Sequence, residues 1–274
     1  MKNKLSDGAR QLGFPLSDEE LRKFDVYLSE LLKWNAKVNL TAITGPDEVV
    51  VKHFLDSLAL LGILQGGENG PVWACEHRGN AVGRFTACDI GSGAGFPGLA
   101  LKIVLPEMDI ALIEPARRKA AFLRHIIRTL GLKGAAVLEA RVEELLPPRR
   151  DKESLLSPAE AGPRCKSLHP RRAGETPGTH KLPLAVPAPP FNIVFSRAFK
   201  GLEDLLAATG PLLADNGYVA QSLSRSTGDR LVSQAQGLET EHEGPPPGWM
   251  VKREEEITLP FSDIRRALIL LRKA

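Results

Sequence analysis

The chain has 274 residues, with 36 Lys+Arg against 33 Asp+Glu and a formal net charge of +3. Hydrophobic content of 43% beside 25% charged residues excludes collagen-like, disulfide-scaffold and wholly disordered classes. At ~150 residues per domain, the length allows one large domain or two small ones with a buried core.

No apolar core follows the basic residues of the opening MKNKLSDGAR, so no signal peptide is read there. The longest apolar stretch, residues 58–64, is far short of the ~20 residues that cross a bilayer. Cys75, Cys88 and Cys165 are far apart and make neither a CxxC pair nor a disulfide framework. A cytoplasmic, reducing setting is expected, without a membrane partner.

In chain order, residues 17–35 read as an amphipathic helix, opened by a Ser17/Glu20 capping box and striped by Leu21, Phe24, Leu28, Leu31 and Leu32. A second helix is read from Pro46 to about Leu64, with Asp47 and Glu48 in its first turn. Residues 1–66 are thus expected as a helical cap and 67–274 as the main domain. Residues 66–84 are Gly-rich and read as a loop.

The period then changes. Strands are read at 85–90, 110–113, 135–140, 191–195 and 218–222, with helices between them, the first opened by Pro97. Alternating strands and helices imply a parallel sheet with right-handed crossovers. Strands at 256–259 and 267–271 are joined by Pro260-Phe261-Ser262-Asp263 alone and must pair antiparallel. Residues 147–190 hold 10 of the 21 prolines and show no period. This insert reads as disordered, with contact to RNA phosphates as the alternative. It carries eight Lys+Arg against four Asp+Glu, so the rest of the chain sums to −1.

The sharpest motif is Asp89-Ile90-Gly91-Ser92-Gly93-Ala94-Gly95-Phe96-Pro97-Gly98, between a strand and a helix. Read from Gly93 it is the G-x-G-x-x-G of dinucleotide sites. Read from Gly91, behind an acid, it is the G-x-G-x-G of S-adenosylmethionine (AdoMet) enzymes. A dinucleotide sets its pyrophosphate on the helix N-terminus, where Asp89 would repel it. AdoMet brings an ammonium and a sulfonium, which a carboxylate favours.

Glu114, ending the second strand, suits ribose hydroxyls of either cofactor, or is a solvated strand end. Glu143, or the amide after Val142, is placed to meet an adenine amino group, or Glu143 caps a helix. Arg117, Arg118, Lys119 and Arg124 face either RNA or water. Ser196-Arg197 leaves the fourth strand, where a methyltransferase places its acceptor. Ala188-Pro189-Pro190-Phe191 mimics the motif of exocyclic-amine methylases, but it precedes that strand. An exocyclic amine is therefore not the expected acceptor; a ring nitrogen would need neither that motif nor a general base, only position. His53 reads as a packing residue before a catalyst. No His/Cys/carboxylate cluster has metal spacing, so no metal is expected.

Leu32-Lys33-Trp34-Asn35, Val38-Asn39-Leu40-Thr41-Ala42-Ile43, His53-Phe54-Leu55-Asp56-Ser57-Leu58, residues 89–98 and Ser196-Arg197-Ala198 together resemble the RsmG (GidB) family. These are bacterial methyltransferases of guanine N7 in 16S rRNA. The resemblance implies a class I AdoMet-dependent methyltransferase fold with an N-terminal helical extension. AdoMet would be the cofactor, the guanine-527-type site the acceptor, and 16S rRNA or the small ribosomal subunit the partner of a monomer. It carries cofactor contacts onto Gly91, Phe96, Val142, Glu143 and Arg197, to which the glycine-turn reading adds Asp89 and Gly93 and the strand-end argument adds Glu114. Acceptor-side candidates are Arg197, Ser196, His53 and Asn39. Gln221-Ser222 stands where the family has Lys-Gly. A nicotinamide oxidoreductase and a non-catalytic RNA-binding assembly factor are the alternatives.

Overall fold

The structure, a computed structural model, describes residues 2–65, 85–145, 187–197, 202–224 and 247–273. The loop read at 66–84, most of the Pro-rich insert, Cys75, Cys165 and Ala198 lie outside the described residues.

The N-terminal region opens with α1 (Lys2–Gln11), which the sequence pattern did not reveal, followed by α2 (Asp18–Val38). The capping box at the start of α2 is present. Glu20 N donates to Ser17 Oγ at 3.3 Å, and Ser17 N donates to Glu20 Oε2 at 2.7 Å. Asn39 ends the helix in the left-handed conformation, which Asn tolerates better than most residues. The helix expected from Pro46 is three consecutive pieces: α3 (Pro46–Val49), a π-helical stretch (Val50–Leu55) and α4 (Asp56–Gln65). Residues 49–61 are buried on nearly every side, so apolar residues run through all three pieces and the sequence shows one helix.

Seven strands form one sheet in the order β3-β2-β1-β4-β5-β7-β6. β1 (Thr86–Ile90), β2 (Asp109–Ile113), β3 (Ala135–Leu138), β4 (Phe191–Ser196) and β5 (Leu213–Ser224) pair parallel. β6 (Trp249–Thr258) and β7 (Arg265–Lys273) form the expected hairpin, and β7 pairs antiparallel to β5. β5, β6 and β7 run longer than the apolar runs suggest, because the added residues are largely polar or charged: Asp215 and Asn216 in β5, residues 252–255 in β6, and Arg265, Arg266, Arg272 and Lys273 in β7. The crossover helices are α5 (Gly98–Val104), α6 (Arg117–Leu130) and α7 (Leu202–Thr209); Pro97 precedes α5 as its N-cap.

Both faces of the parallel strands are covered, which explains their unbroken apolar runs. Ala87, Ile110, Leu112, Ile193 and Phe195 face α5, α6 and the N-terminal helices in one core that also holds Leu5, Phe24, Phe54 and Leu58. Cys88, Ile90, Ala111, Ile113 and Val194 face the other side with Leu205 and Leu206 of α7. Among the described residues, no helix is long and apolar enough to cross a membrane.

Candidate active site

Strand order reverses between β1 and β4. In open α/β sheets, a crevice forms outside the carboxyl ends of the strands at such a point. β1 delivers the glycine turn there, β2 delivers Glu114, β3 leads to Val142 and Glu143, and β4 delivers Ser196 and Arg197.

Gly91, Gly93 and Gly95 have φ of 71°, 58° and 95°, a region that other residues adopt only under strain. A Cβ on Gly91 would meet nothing within 4 Å, so the turn leaves open space there. The backbone amides of this turn are already engaged. Gly91 N and Ser92 N donate to Ile113 O at 2.9 and 3.2 Å. Gly95 N and Phe96 N donate to Ser92 O at 2.7 and 3.1 Å. Gly93 N donates to Glu114 Oε2 at 2.8 Å and Gly98 N to Asp89 Oδ2 at 3.0 Å. A phosphate cradle needs amides aimed outward at an anion; here they point into the protein, and a carboxylate occupies the start of α5.

Asp89 is fully buried, and its second oxygen, Oδ1, has no partner. Burial, opposed by the Gly98 amide and the Arg197 charge, raises its carboxyl to about 7. Glu114 is buried too, and also accepts from Ala116 N through Oε1 at 2.8 Å. It ties the β1 turn to the β2 turn, and each oxygen keeps a lone pair for a further donor.

His53, in the π-helical stretch, stacks on Phe96 with centroids 4.5 Å apart and planes at 11°. Tyr27 also stacks on Phe96, with centroids 5.3 Å apart, and its hydroxyl donates to Ala94 O at 2.5 Å. Arg197 reaches His53 Nδ1 from Nη2 at 2.8 Å, and donates from Nη1 to Lys52 O at 3.3 Å. A guanidinium only donates, so Nδ1 is the acceptor and Nε2 carries the proton. Nε2 then donates to Thr41 Oγ1 at 2.9 Å. Burial first, then the Arg197 charge, hold His53 down to about 3. Asp56 lies 3.6 Å from Arg197 and is bonded by Arg266 Nε and Ser222 Oγ, each at 3.0 Å.

The structure therefore brings Asp89, Gly91, Gly93, Phe96, Glu114, His53 and Arg197 to one end of the sheet. Ser196 ends β4 beside Gln221 of β5, with its hydroxyl buried and unpartnered. Val142 is buried and Glu143 exposed in a short 3-10 turn after β3. Asn39 is exposed at the end of α2, and its recorded bond is a backbone cap to Asn35 O. Tyr27 escaped sequence reading; its only signal is a polar-tipped ring within the apolar stripe of α2. Asn35 was quoted for its motif alone, yet it clamps Thr41, donating to its carbonyl at 3.0 Å and accepting from its amide at 2.9 Å.

The family model for GidB, described as rRNA small subunit methyltransferase G, matches residues 20–159. The chain is 33% identical over 265 residues to the ribosomal RNA small subunit methyltransferase G of Geobacter sulfurreducens, covering 97% of this chain and 94% of that protein. The chain belongs to the rRNA small subunit methyltransferase G family.

Two other members are more similar over shorter spans. The Myxococcus xanthus protein of the same name is 42% identical over 142 residues, 52% of this chain and 58% of that protein. That of Roseiflexus sp. is 44% identical over 139 residues, 51% of this chain and 53% of that protein. The chain thus aligns with little more than half the length of these two relatives. The family model's span includes His53, the glycine turn, Glu114 and Glu143, whereas Ser196 and Arg197 lie beyond it.

Proposed function

We propose that this chain is an AdoMet-dependent methyltransferase that transfers a methyl group to N7 of one guanine, of the guanine-527 type, in 16S rRNA. Family membership supports the reaction class and the rRNA substrate. The orphaned, fully buried Asp89 Oδ1 carries the choice of cofactor. A stranded acceptor held near neutrality by burial fits a cationic ligand, and the inward-turned amides fit no pyrophosphate. Gly91 leaves the space that such a ligand needs, and Glu114 retains lone pairs for ribose hydroxyls.

When bound, AdoMet supplies a sulfonium methyl that an in-line nucleophile displaces, leaving S-adenosylhomocysteine. Asp89 would hold a positive group of it beside the turn, Glu114 braces Gly93 against β2, and Arg197 would offer its remaining donors to an anionic group. Guanine N7 would present its in-plane lone pair to that methyl, and the residues at the turn and at β4 would hold the two in line. N7 carries no proton to lose, so no side chain acts as general base. His53, with both ring nitrogens engaged, suits that requirement. The gain comes from orientation and exclusion of water. The acceptor is an unstacked rRNA loop, because duplex RNA hides its base edges in a deep, narrow groove.

Calorimetry and product mapping test this reading. S-adenosylhomocysteine is expected to bind and NAD is not; the reverse overturns the cofactor. Purified protein is expected to add 7-methylguanosine at a single nucleotide of 16S rRNA. Unchanged 7-methylguanosine in rRNA from a deletion strain would favour a non-catalytic assembly factor.

A further inference from the structure

Arg197 and His53 form a pair that the cofactor reading does not explain by itself. Most buried arginines meet a carboxylate. Here the shortest contact, 2.8 Å, is to a neutral imidazole nitrogen; Asp56 pairs with Arg197 only at 3.6 Å and is shared with Arg266 and Ser222, so one carboxylate faces two guanidinium groups. A neutral acceptor fixes the direction of a guanidinium without cancelling its charge. The tautomer that makes this possible is set from outside the sheet. Thr41 Oγ1 accepts the hydrogen bond from Nε2–H, Asn35 clamps Thr41 at both its amide and its carbonyl, and Phe96 of the glycine turn stacks on the ring. The same Phe96 lies 5.7 Å beneath the Arg197 guanidinium. One planar ring therefore touches the N-terminal helices, the β1 turn and the β4 arginine.

We propose that His53, locked by Thr41, is a positioning residue that aims Arg197, with its charge intact, at the amino-acid carboxylate of the methyl donor. The inference rests on the AdoMet reading. It assigns the helical N-terminal region a part in cofactor binding, exerted through one imidazole. The chain Asn35–Thr41–His53–Arg197 has no member that must gain or lose a proton for the reaction, so its contribution is geometric. It differs from a packing role in one respect: its effect must disappear when Arg197 is absent.

A double-mutant cycle on the full chain tests this, with S-adenosylhomocysteine affinity as the readout. His53→Phe keeps a ring on Phe96 and removes both nitrogens. It is expected to weaken S-adenosylhomocysteine about tenfold in the otherwise unaltered chain and less than twofold in an Arg197→Ala background. His53→Asn, whose Oδ1 falls near the former Nδ1, is expected to recover most of the loss. Thr41→Val, which frees the tautomer without touching the ring, is expected to weaken binding several-fold if His53→Phe does not fold. 5′-Methylthioadenosine lacks the amino-acid arm and is expected to bind all variants alike. Additive losses for His53→Phe and Arg197→Ala overturn the inference, as does equal weakening of 5′-methylthioadenosine. Failure of the unaltered chain to bind S-adenosylhomocysteine, by contrast, overturns the AdoMet reading itself.

Discussion

Asp89 has one oxygen on the Gly98 amide and the other against nothing, in a position with no solvent contact. Burial raises its carboxyl to about 7, so between its ordinary 3.8 and that value the folded chain binds a proton that the unfolded chain releases. Stability of the ligand-free protein therefore falls as pH rises through this window. Asp89→Asn keeps an acceptor for Gly98 and cannot ionise. Thermal melts are expected to show the variant more stable at pH 8, by a margin on the order of a few kcal/mol, with the curves converging near pH 4. The same variant is expected to lose S-adenosylhomocysteine binding at least tenfold in calorimetry. Parallel melting curves across the range would show that Asp89 finds a cation or a solvent path when the protein is empty. Gly91 makes the complementary case. Its φ of 71° strains any side chain, and its Cβ direction is open. Gly91→Val is expected to leave a folded protein by circular dichroism, with a branched side chain in the cofactor space and no S-adenosylhomocysteine heat. Normal binding by that variant would place the cofactor elsewhere.

At the scale of elements, what the sequence reveals follows from what is periodic or capped. The α2 start was legible because a capping box is a short-range chemical pattern. Ser17→Ala is expected to cost ~1 kcal/mol in urea unfolding with the m-value unchanged; no loss would mean that Glu20 alone satisfies the first turn. The strand–turn–helix around residues 89–98 was equally legible, since four glycines behind an acid have few other uses. The π-helical stretch was not, because residues 49–61 are buried on nearly every side and their apolar pattern carries no mark of a change in winding; only the folded chain shows His53 meeting Arg197 and Asp56 meeting Arg266. Nor was the use of Glu114. Spacing put a carboxylate at the end of β2, but only the folded turn shows that it holds Gly93 and Ala116. The direction of backbone amides is a property of torsions, and composition does not encode it. The charge of Asp89 already favours AdoMet over a dinucleotide in the sequence; the inward direction of the amides is the second reason, and only the folded turn shows it.

For the whole molecule, the consequence is cooperativity. The division into a helical cap at 1–66 and a main domain after it follows the change of period in the sequence. Yet Leu5, Phe24, Phe54 and Leu58 share one core with Leu99, Leu112, Phe122, Ile193 and Leu268, and Tyr27 bonds the glycine turn. A shared core of this kind predicts that the two regions unfold together. Trp34 lies on α2 and Trp249 opens β6, so the two report on opposite ends of this assembly. Single-tryptophan chains that retain either Trp34 or Trp249, with the other tryptophans changed to Phe, are expected to unfold in urea with coincident midpoints and slopes. An earlier transition at Trp34 would instead show the N-terminal helices leaving first. His53 would then lose Thr41 while the sheet stayed folded, and S-adenosylhomocysteine binding would fail at the urea concentration of that first transition. Coincident transitions tie cofactor binding to global unfolding, because the residues that aim Arg197 and those that fill the core belong to the same helices.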